Sequence, residues 1–242
     1  MVTVVVIEFS VMRCQPLRRA LCVTGKLYME KVAVFLRKEE AINKFRDVIL
    51  DSFQESEFAD ITICSGFFQE RGKYFASDCF KRFTPVFACE RTTKVVGVYN
   101  GIWKGDFDTF ALKMGNITCS CGTKMKIEKR RVKRYHWHAK IYIASDIDGP
   151  QLGVIGSSNM TSRAFGNNTQ WNFEADVVLW NDANEKAKRI MSQIFESNSD
   201  SDASSIIVST YSTDEPANRG LTLQKRLQLL LEEFESFSEI VE

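Results

Sequence analysis

The feature that most constrains the fold is a series of three short apolar segments in the middle of the chain, each flanked by polar residues. They are "WHAKIYIA" (137–144), "QLGVIGSSN" (151–159) and "FEADVVLW" (173–180). The first alternates between two faces with a period of two, which is the pattern of a β-strand. We therefore predict three strands whose ends bring the polar residues close together.

Helical patterns lie on both sides of these strands. Apolar residues at helical spacing, or an acidic start with a glycine end, predict helices over 39–56, 106–115 and 182–197. Two more strands are predicted over 58–68 and 94–100. Strands and helices thus mix along the chain, which predicts an α/β fold with a mixed β-sheet flanked by helices, α+β being the alternative.

The chain divides into four segments by composition. Residues 29–196 are predicted to form the main domain, and residues 1–28 are either an extension outside it or its first strand and turn. Residues 197–205, "SNSDSDASS", are polar and of low complexity, as in a linker or exposed loop. Residues 206–242 are predicted to form an amphipathic helical segment, either docked on its own domain or contacting a partner.

Overall charge and cysteine content restrict the class of protein. The net charge is +1, so affinity for nucleic acid would depend on local clusters of positive charge. The seven cysteines are odd in number and several lie in apolar runs, which favours reduced thiols and a cytoplasmic location. No apolar run approaches the roughly 18 to 20 residues that cross a bilayer, so we expect no membrane. The CxC pair at 119–121 is a weak zinc pattern, and we expect no metal and no cofactor.

The histidines are the most informative residues for chemistry. The chain has two, His136 and His138. His138 and Lys140 are two residues apart and therefore project from one face of a strand. Ser157 and Asn159 follow the next strand, and Glu174 starts the third. An imidazole can attack phosphorus, a lysine and an amide can hold phosphate oxygens, and a carboxylate can orient an imidazole ring.

In this order, "HAK" (138–140), "GSSN" (156–159) and Glu174 resemble the HxK…GSxN…E signature of the phospholipase D superfamily, over about residues 30 to 196. The resemblance implies a phospholipase D-like catalytic domain. It implies His138 as the nucleophile, Lys140 and Asn159 as phosphate ligands, Ser157 as an auxiliary donor and Glu174 as the partner of a histidine. The family commonly has an acid where this chain has Ser145, with Asp146 and Asp148 just beyond.

The chain holds only half of the family's catalytic set. The family mechanism uses two histidines, one to attack and one to protonate the leaving group, and this chain has a single HxK. The resemblance and the economy of a two-fold axis predict a homodimer in which each chain contributes one His138 and one Lys140 to an active site at the interface.

A basic run precedes the site. Residues 124–134, "KMKIEKRRVKR", contain the cations Lys124, Lys126, Lys129, Arg130, Arg131, Lys133 and Arg134. One interpretation is a track for a polyanion, and the other is a strand edge guarded by lysines.

Together these features predict a metal-independent nuclease that cleaves DNA, with RNA as a further candidate, through a phosphohistidine. Trp103, Phe107, Trp137 and Trp171 are candidate stacking surfaces or core residues. Two other hypotheses stay open: a phospholipid hydrolase or phosphatidyltransferase of the same superfamily, and a catalytically silent nucleic-acid-binding dimer. A solvated sheet face carrying no site at all is the plainest alternative.

Overall fold

The computed structural model describes residues 30–37, 43–81, 91–97, 101, 103–132, 138–166, 170–196 and 206–242. The 1–28 segment and the 197–205 segment lie outside these residues, and so do Lys133, Arg134, His136 and Trp137.

The described part of the chain forms eleven strands, with five α-helices placed between them. The strands are β1 (Glu30–Arg37), β2 (Asp60–Ser65), β3 (Glu70–Arg71), β4 (Tyr74–Phe75), β5 (Thr92–Gly97), β6 (Lys126–Val132), β7 (Lys140–Asp146), β8 (Gly149–Gly156), β9 (Glu174–Asn181), β10 (Ile206–Tyr211) and β11 (Ser238–Ile240). The helices are α1 (Lys44–Gln54), α2 (Ala76–Lys81), α3 (Trp103–Gly115), α4 (Glu185–Glu196) and α5 (Leu223–Phe237).

Nine strands form one mixed sheet in the order β10-β1-β9-β8-β7-β2-β5-β6-β11. From β10 to β2 all neighbours are antiparallel, whereas β2, β5 and β6 run parallel. Parallel neighbours need crossover connections, and α2 and α3 lie in the two that join these strands. The predicted α/β fold with a mixed sheet and flanking helices is confirmed.

The sheet is covered on both faces. Apolar residues of α1, α2, α3 and α4 pack on one face and form the larger core, which includes Tyr142 of β7 and Trp180 of β9. On the other face, Leu223, Leu227 and Phe234 of α5 pack against Ile141 and Ile143 of β7. Successive residues of a strand point to opposite faces, so Lys140 shares the face of Tyr142. The shared face of Lys140 and Tyr142 agrees with the predicted alternation.

The 206–242 segment holds more than the predicted helix. Helix α5 docks on its own sheet, and strands β10 and β11 of the same segment pair with β1 and β6. The two edge strands of the sheet therefore both belong to this segment. Among the described helices, none is long and apolar enough to cross a membrane.

Several element boundaries differ from the sequence prediction. Asn43 caps α1 by accepting from the Arg46 amide at 3.1 Å, so the helix begins at Lys44, and residues 39–42 of the predicted helix lie outside the described residues. Strand β7 begins at Lys140, which leaves His138 just before the strand.

Candidate active site

The predicted site residues gather at one end of the central strands. The strand register aligns Lys140 with Gly156, and Gly156 with Asp176. Cys64 aligns with Ile141, so Ser65 ends β2 beside the start of β7. In an antiparallel pair, aligned residues share a face. Lys140, Gly156 and Asp176 therefore form one row, which points toward the helices α1 to α4. The site thus lies where the antiparallel part of the sheet meets its parallel part.

His138 and Lys140 are in direct contact. The Lys140 Nζ atom lies 3.0 Å from His138 Nδ1, and the ammonium also donates to the His138 carbonyl oxygen. The His138 ring is exposed, whereas Lys140 is buried with 3% of its surface accessible. An ammonium has hydrogens only to donate, so Nδ1 accepts in this contact and Nε2 carries the proton of a neutral ring.

Burial lowers the pKa of Lys140, because removing the ammonium from water disfavours its charged form. Nearby negative charge opposes that effect, with Glu174 contributing most and Asp176 also contributing. A buried ammonium that lies next to an exposed ring and is balanced by carboxylates is suited to bind a phosphate oxygen.

Glu174 is held by residues of two loops. Its carboxylate accepts from the Ser157 hydroxyl and, at 3.0 Å, from Asn172 Nδ2. Ser157 in turn accepts from the Ala175 amide at 3.1 Å, which ties the "GSSN" turn to the start of β9. Within the described part of this one chain no hydrogen bond joins Glu174 to His138. Ser157 and Glu174, singled out separately in the sequence, are therefore one hydrogen-bonded unit.

Asn159 is held on the other side of the site. Its Oδ1 lies 3.3 Å from the hydroxyl of Ser65, which also receives the Met160 amide at 3.3 Å. The amide nitrogen of Asn159 is a group that can donate to a phosphate oxygen. Ser65 is buried and lies at the end of β2, so it anchors the turn to the central sheet.

Asp176 was missed by the sequence reasoning. It is 2% exposed, and it accepts from the Ser158 hydroxyl at 2.6 Å and the Ser158 amide at 3.3 Å. Burial raises the pKa of Asp176 to about 6, against the lowering effect of the two Ser158 hydrogen bonds. The period of two from Glu174 would have placed Asp176 on the same face of β9.

These residues offer the parts of a phosphate-handling site. An exposed imidazole stands next to a buried ammonium, and an amide and a hydroxyl flank them on one turn. Two carboxylates lie behind them and hold that turn in place. Such an arrangement can bind a phosphodiester and present it to an imidazole nitrogen.

Comparison with known proteins gives similarity at the level of solved structures only. No family model matches this sequence, and no curated protein sequence matches it. The phosphatidylserine synthase of Haemophilus influenzae is 11% identical at a TM-score of 0.42, and the similarity covers 86% of this chain and 46% of that one.

The polyphosphate kinase of Porphyromonas gingivalis is 7% identical at a TM-score of 0.40, covering 70% of this chain and 26% of that one. Yeast tyrosyl-DNA phosphodiesterase is 15% identical at a TM-score of 0.32, covering 61% of this chain and 31% of that one. The chain therefore spans between about a quarter and a half of the solved chains that it resembles.

The described part of the basic run forms β6 and the turn before it. Strands β2 and β5 separate β6 from β7, a distance of about 14 Å at the usual strand spacing. Lys124 and Lys126 are exposed. Three others contact acidic groups: Lys129 with Asp108 at 3.0 Å, Arg130 with Glu128 at 2.7 Å, and Arg131 with Glu239. The described cations thus fall into an exposed pair and an ion-paired group.

The acids that follow Ser145 lie at the far end of β7. Asp146 accepts from Gln151 at 2.9 Å and from Asn184 at 2.7 Å. Six residues of extended chain put it about 20 Å from Lys140. Asp146 therefore stabilises the β7–β8 turn and does not reach the site. Among the described residues, no cluster of His, Cys, Asp and Glu side chains is arranged to hold a metal ion.

Proposed function

We propose that this chain is a metal-independent phosphodiesterase of the phospholipase D type that cleaves DNA through a covalent phosphohistidine. The observation that carries the proposal is the contact between the exposed His138 ring and the buried Lys140 ammonium, 3.0 Å apart. The "HAK", "GSSN" and Glu174 pattern supports the same chemistry, because it supplies the residues of the family signature in order.

Substrate binding changes the role of Lys140. Without substrate the ammonium donates to His138 Nδ1, which leaves the proton on Nε2. A phosphodiester oxygen is a stronger acceptor than the ring and draws the ammonium to itself. The ring proton can then sit on Nδ1, and Nε2 presents its lone pair to phosphorus.

The reaction then has two steps. His138 Nε2 forms a bond to phosphorus as the bond from phosphorus to the leaving oxygen breaks, and His138 of the partner subunit, in its imidazolium form, gives one proton to that oxygen and becomes neutral. In the second step the partner's His138 takes a proton from water. The water oxygen bonds to phosphorus and the phosphorus–nitrogen bond breaks, which restores both rings.

A homodimer completes the site in this proposal. One described HxK motif supplies one ring, and a two-fold axis at the exposed face of His138 brings in a second. Lys140 and Asn159 of both subunits then hold the non-bridging oxygens. In this arrangement Glu174 orients an attacking ring, since a carboxylate on Nδ1–H fixes the tautomer.

The test is cleavage of plasmid and single-stranded DNA in excess EDTA. We expect the wild type to cleave, His138→Ala to lose activity by at least about a thousandfold, and His136→Ala to keep most of it as the matched control. Acid-labile, alkali-stable label on the protein would identify the phosphohistidine. Cleavage that needs Mg²⁺, or that survives in His138→Ala, would contradict the proposal.

Two outcomes would instead favour the other hypotheses. Hydrolysis of phosphatidyl lipids in vesicles without DNA cleavage would indicate a lipid substrate. DNA binding that is tight and specific, without cleavage by any preparation, would indicate a silent binding dimer.

A further inference from the structure

A strip of partly exposed aromatic rings leads away from His138. The Phe67 ring centroid lies 6.5 Å from that of His138 at an interplanar angle of 89°, and 4.5 Å from that of Trp103. The Arg71 guanidinium lies over the Trp103 ring, 4.6 Å from its centroid. The strip therefore runs from the proposed nucleophile through two rings to a cation.

The chain directs Phe67 outward and its neighbour inward. The Ser65 hydroxyl donates to the Phe67 carbonyl at 2.9 Å and fixes a turn directly after β2. Phe68 is 2% exposed and packs against Phe107 and Phe110 in the larger core. Of the predicted stacking candidates, Phe107 is thus a core residue, whereas Trp103 lies in the strip.

Neither ring of the strip is needed to fill the core. Both are partly exposed, and neither belongs to the two apolar clusters that the described residues form. Arg71 is held in place by an ion pair with the buried Asp106 at 3.3 Å. Two adjacent aromatic rings with exposed surface outside both clusters can serve as a stacking surface for a ligand.

We infer that Phe67 and Trp103 form a shelf on which unpaired nucleobases of the cleaved strand stack, with Arg71 at its far end. This inference rests on the proposed function and names its substrate class as single-stranded nucleic acid. Bases stack on aromatic side chains regardless of sequence, and an arginine next to the ring adds cation–π attraction. Bases in a duplex are already stacked on each other and cannot reach such a shelf.

The test compares two single strands with the same phosphodiesters, an oligothymidine and an abasic chain of equal length, in excess EDTA. Phe67→Leu and Trp103→Leu keep apolar bulk but remove the flat ring. Phe237→Leu is the matched control, because Phe237 is a partly exposed phenylalanine of α5 on the opposite face of the sheet.

We expect kcat/KM of the wild type to be about tenfold to a hundredfold higher for the oligothymidine than for the abasic chain. Phe67→Leu and Trp103→Leu should lower kcat/KM for the oligothymidine to the value for the abasic chain, whereas Phe237→Leu should keep the difference between the two substrates. An equal loss on both substrates would mean a structural role and would overturn the shelf, as would a wild type that ignores the bases.

Failure of the shelf and failure of the proposed function can be told apart. If the wild type cleaves both strands equally, only the shelf is wrong. If it cleaves neither, the proposed function is wrong, and fluorescence anisotropy of the two strands on His138→Ala then decides on the shelf. Tighter binding of oligothymidine that is lost in His138→Ala/Phe67→Leu would support the shelf, whereas equal binding or none would overturn it.

Discussion

Asp176 occupies the space that a side chain on Gly156 would need. A Cβ atom on Gly156 would lie 1.8 Å from Asp176 Oδ1 and 2.8 Å from its Cα. The glycine of "GSSN" is therefore required by packing, because the carboxylate that holds Ser158 passes directly beneath it. The turn that carries Ser157 and Asn159 is positioned by this close approach.

Gly156→Ala should distort the turn and lower both stability and activity. The contact to the Asp176 backbone cannot relax by a side-chain rotation, so we expect a loss of at least about 2 kcal/mol in the free energy of unfolding. Urea unfolding measures it. Gly105→Ala is the control, because a Cβ atom on Gly105 meets nothing within 4 Å and Gly105 belongs to helix α3. It should stabilise by about 0.5 to 1 kcal/mol. A Gly156→Ala variant as stable as the wild type would contradict the close approach.

Asp176 should make stability depend on pH between about 4 and 6. Burial raises its pKa to about 6 in the folded chain, above the roughly 3.9 of an unfolded one, so the folded state holds the proton longer. The free energy of unfolding therefore falls as pH rises through this window, by about 2 to 3 kcal/mol at most, and above the window this group no longer makes it change with pH.

Asp176→Asn removes this titration and nearly keeps the shape. The unfolding free energy of both proteins is followed in urea from pH 4 to pH 7.5. The value for the wild type minus the value for the variant should fall as pH rises. Other titrating groups largely cancel in that difference. A difference that is constant across the range would mean that Asp176 titrates normally.

The site was predictable where a local pattern carried the information. Period-two alternation placed His138 and Lys140 on one face, and the polar turn after the next strand placed Ser157 and Asn159 at the same strand ends. Asp176 was not predicted, because the family signature includes Glu174 only, although Asp176 lies two residues further on the same strand. The burial that raises its pKa depends on packing from distant elements, which no local pattern records.

The edges of the sheet were not predicted for a similar reason. Strand β10 pairs with β1, which is far away in sequence, and β11 has only three residues, supported by pairing with β6. Such short strands depend on long-range partners instead of on their own propensity. Helix α5 was predicted because its apolar stripe repeats with helical spacing, and the stripe packs on the sheet.

Variants of lysines in β6 and just before it can distinguish the two interpretations of the basic run. Lys126 is exposed, whereas Lys129 is paired with Asp108 at 3.0 Å and donates to the Glu242 carbonyl at 2.9 Å. If β6 binds a polyanion, Lys124→Ala/Lys126→Ala should reduce the slope of log affinity against log salt by about 1.4 to 1.8. Lys129→Ala should mainly lower stability, by up to about 1 kcal/mol.

DNA binding at several salt concentrations and urea unfolding measure the two effects. An unchanged slope for Lys124→Ala/Lys126→Ala, combined with aggregation of that variant, would favour the guarded strand edge instead.

A dimer whose two His138 rings share one active site makes a quantitative prediction for mixed subunits. A heterodimer of wild type and His138→Ala, purified through two different tags, has a single ring in the shared site and should be inactive in excess EDTA. Independent sites would instead leave about half of the wild-type activity. The control heterodimer, two wild-type chains that carry the two different tags, should be fully active. Light scattering should give twice the 27.7 kDa of one chain. A half-active heterodimer, or an active species of 27.7 kDa, would show that one chain contains a complete site.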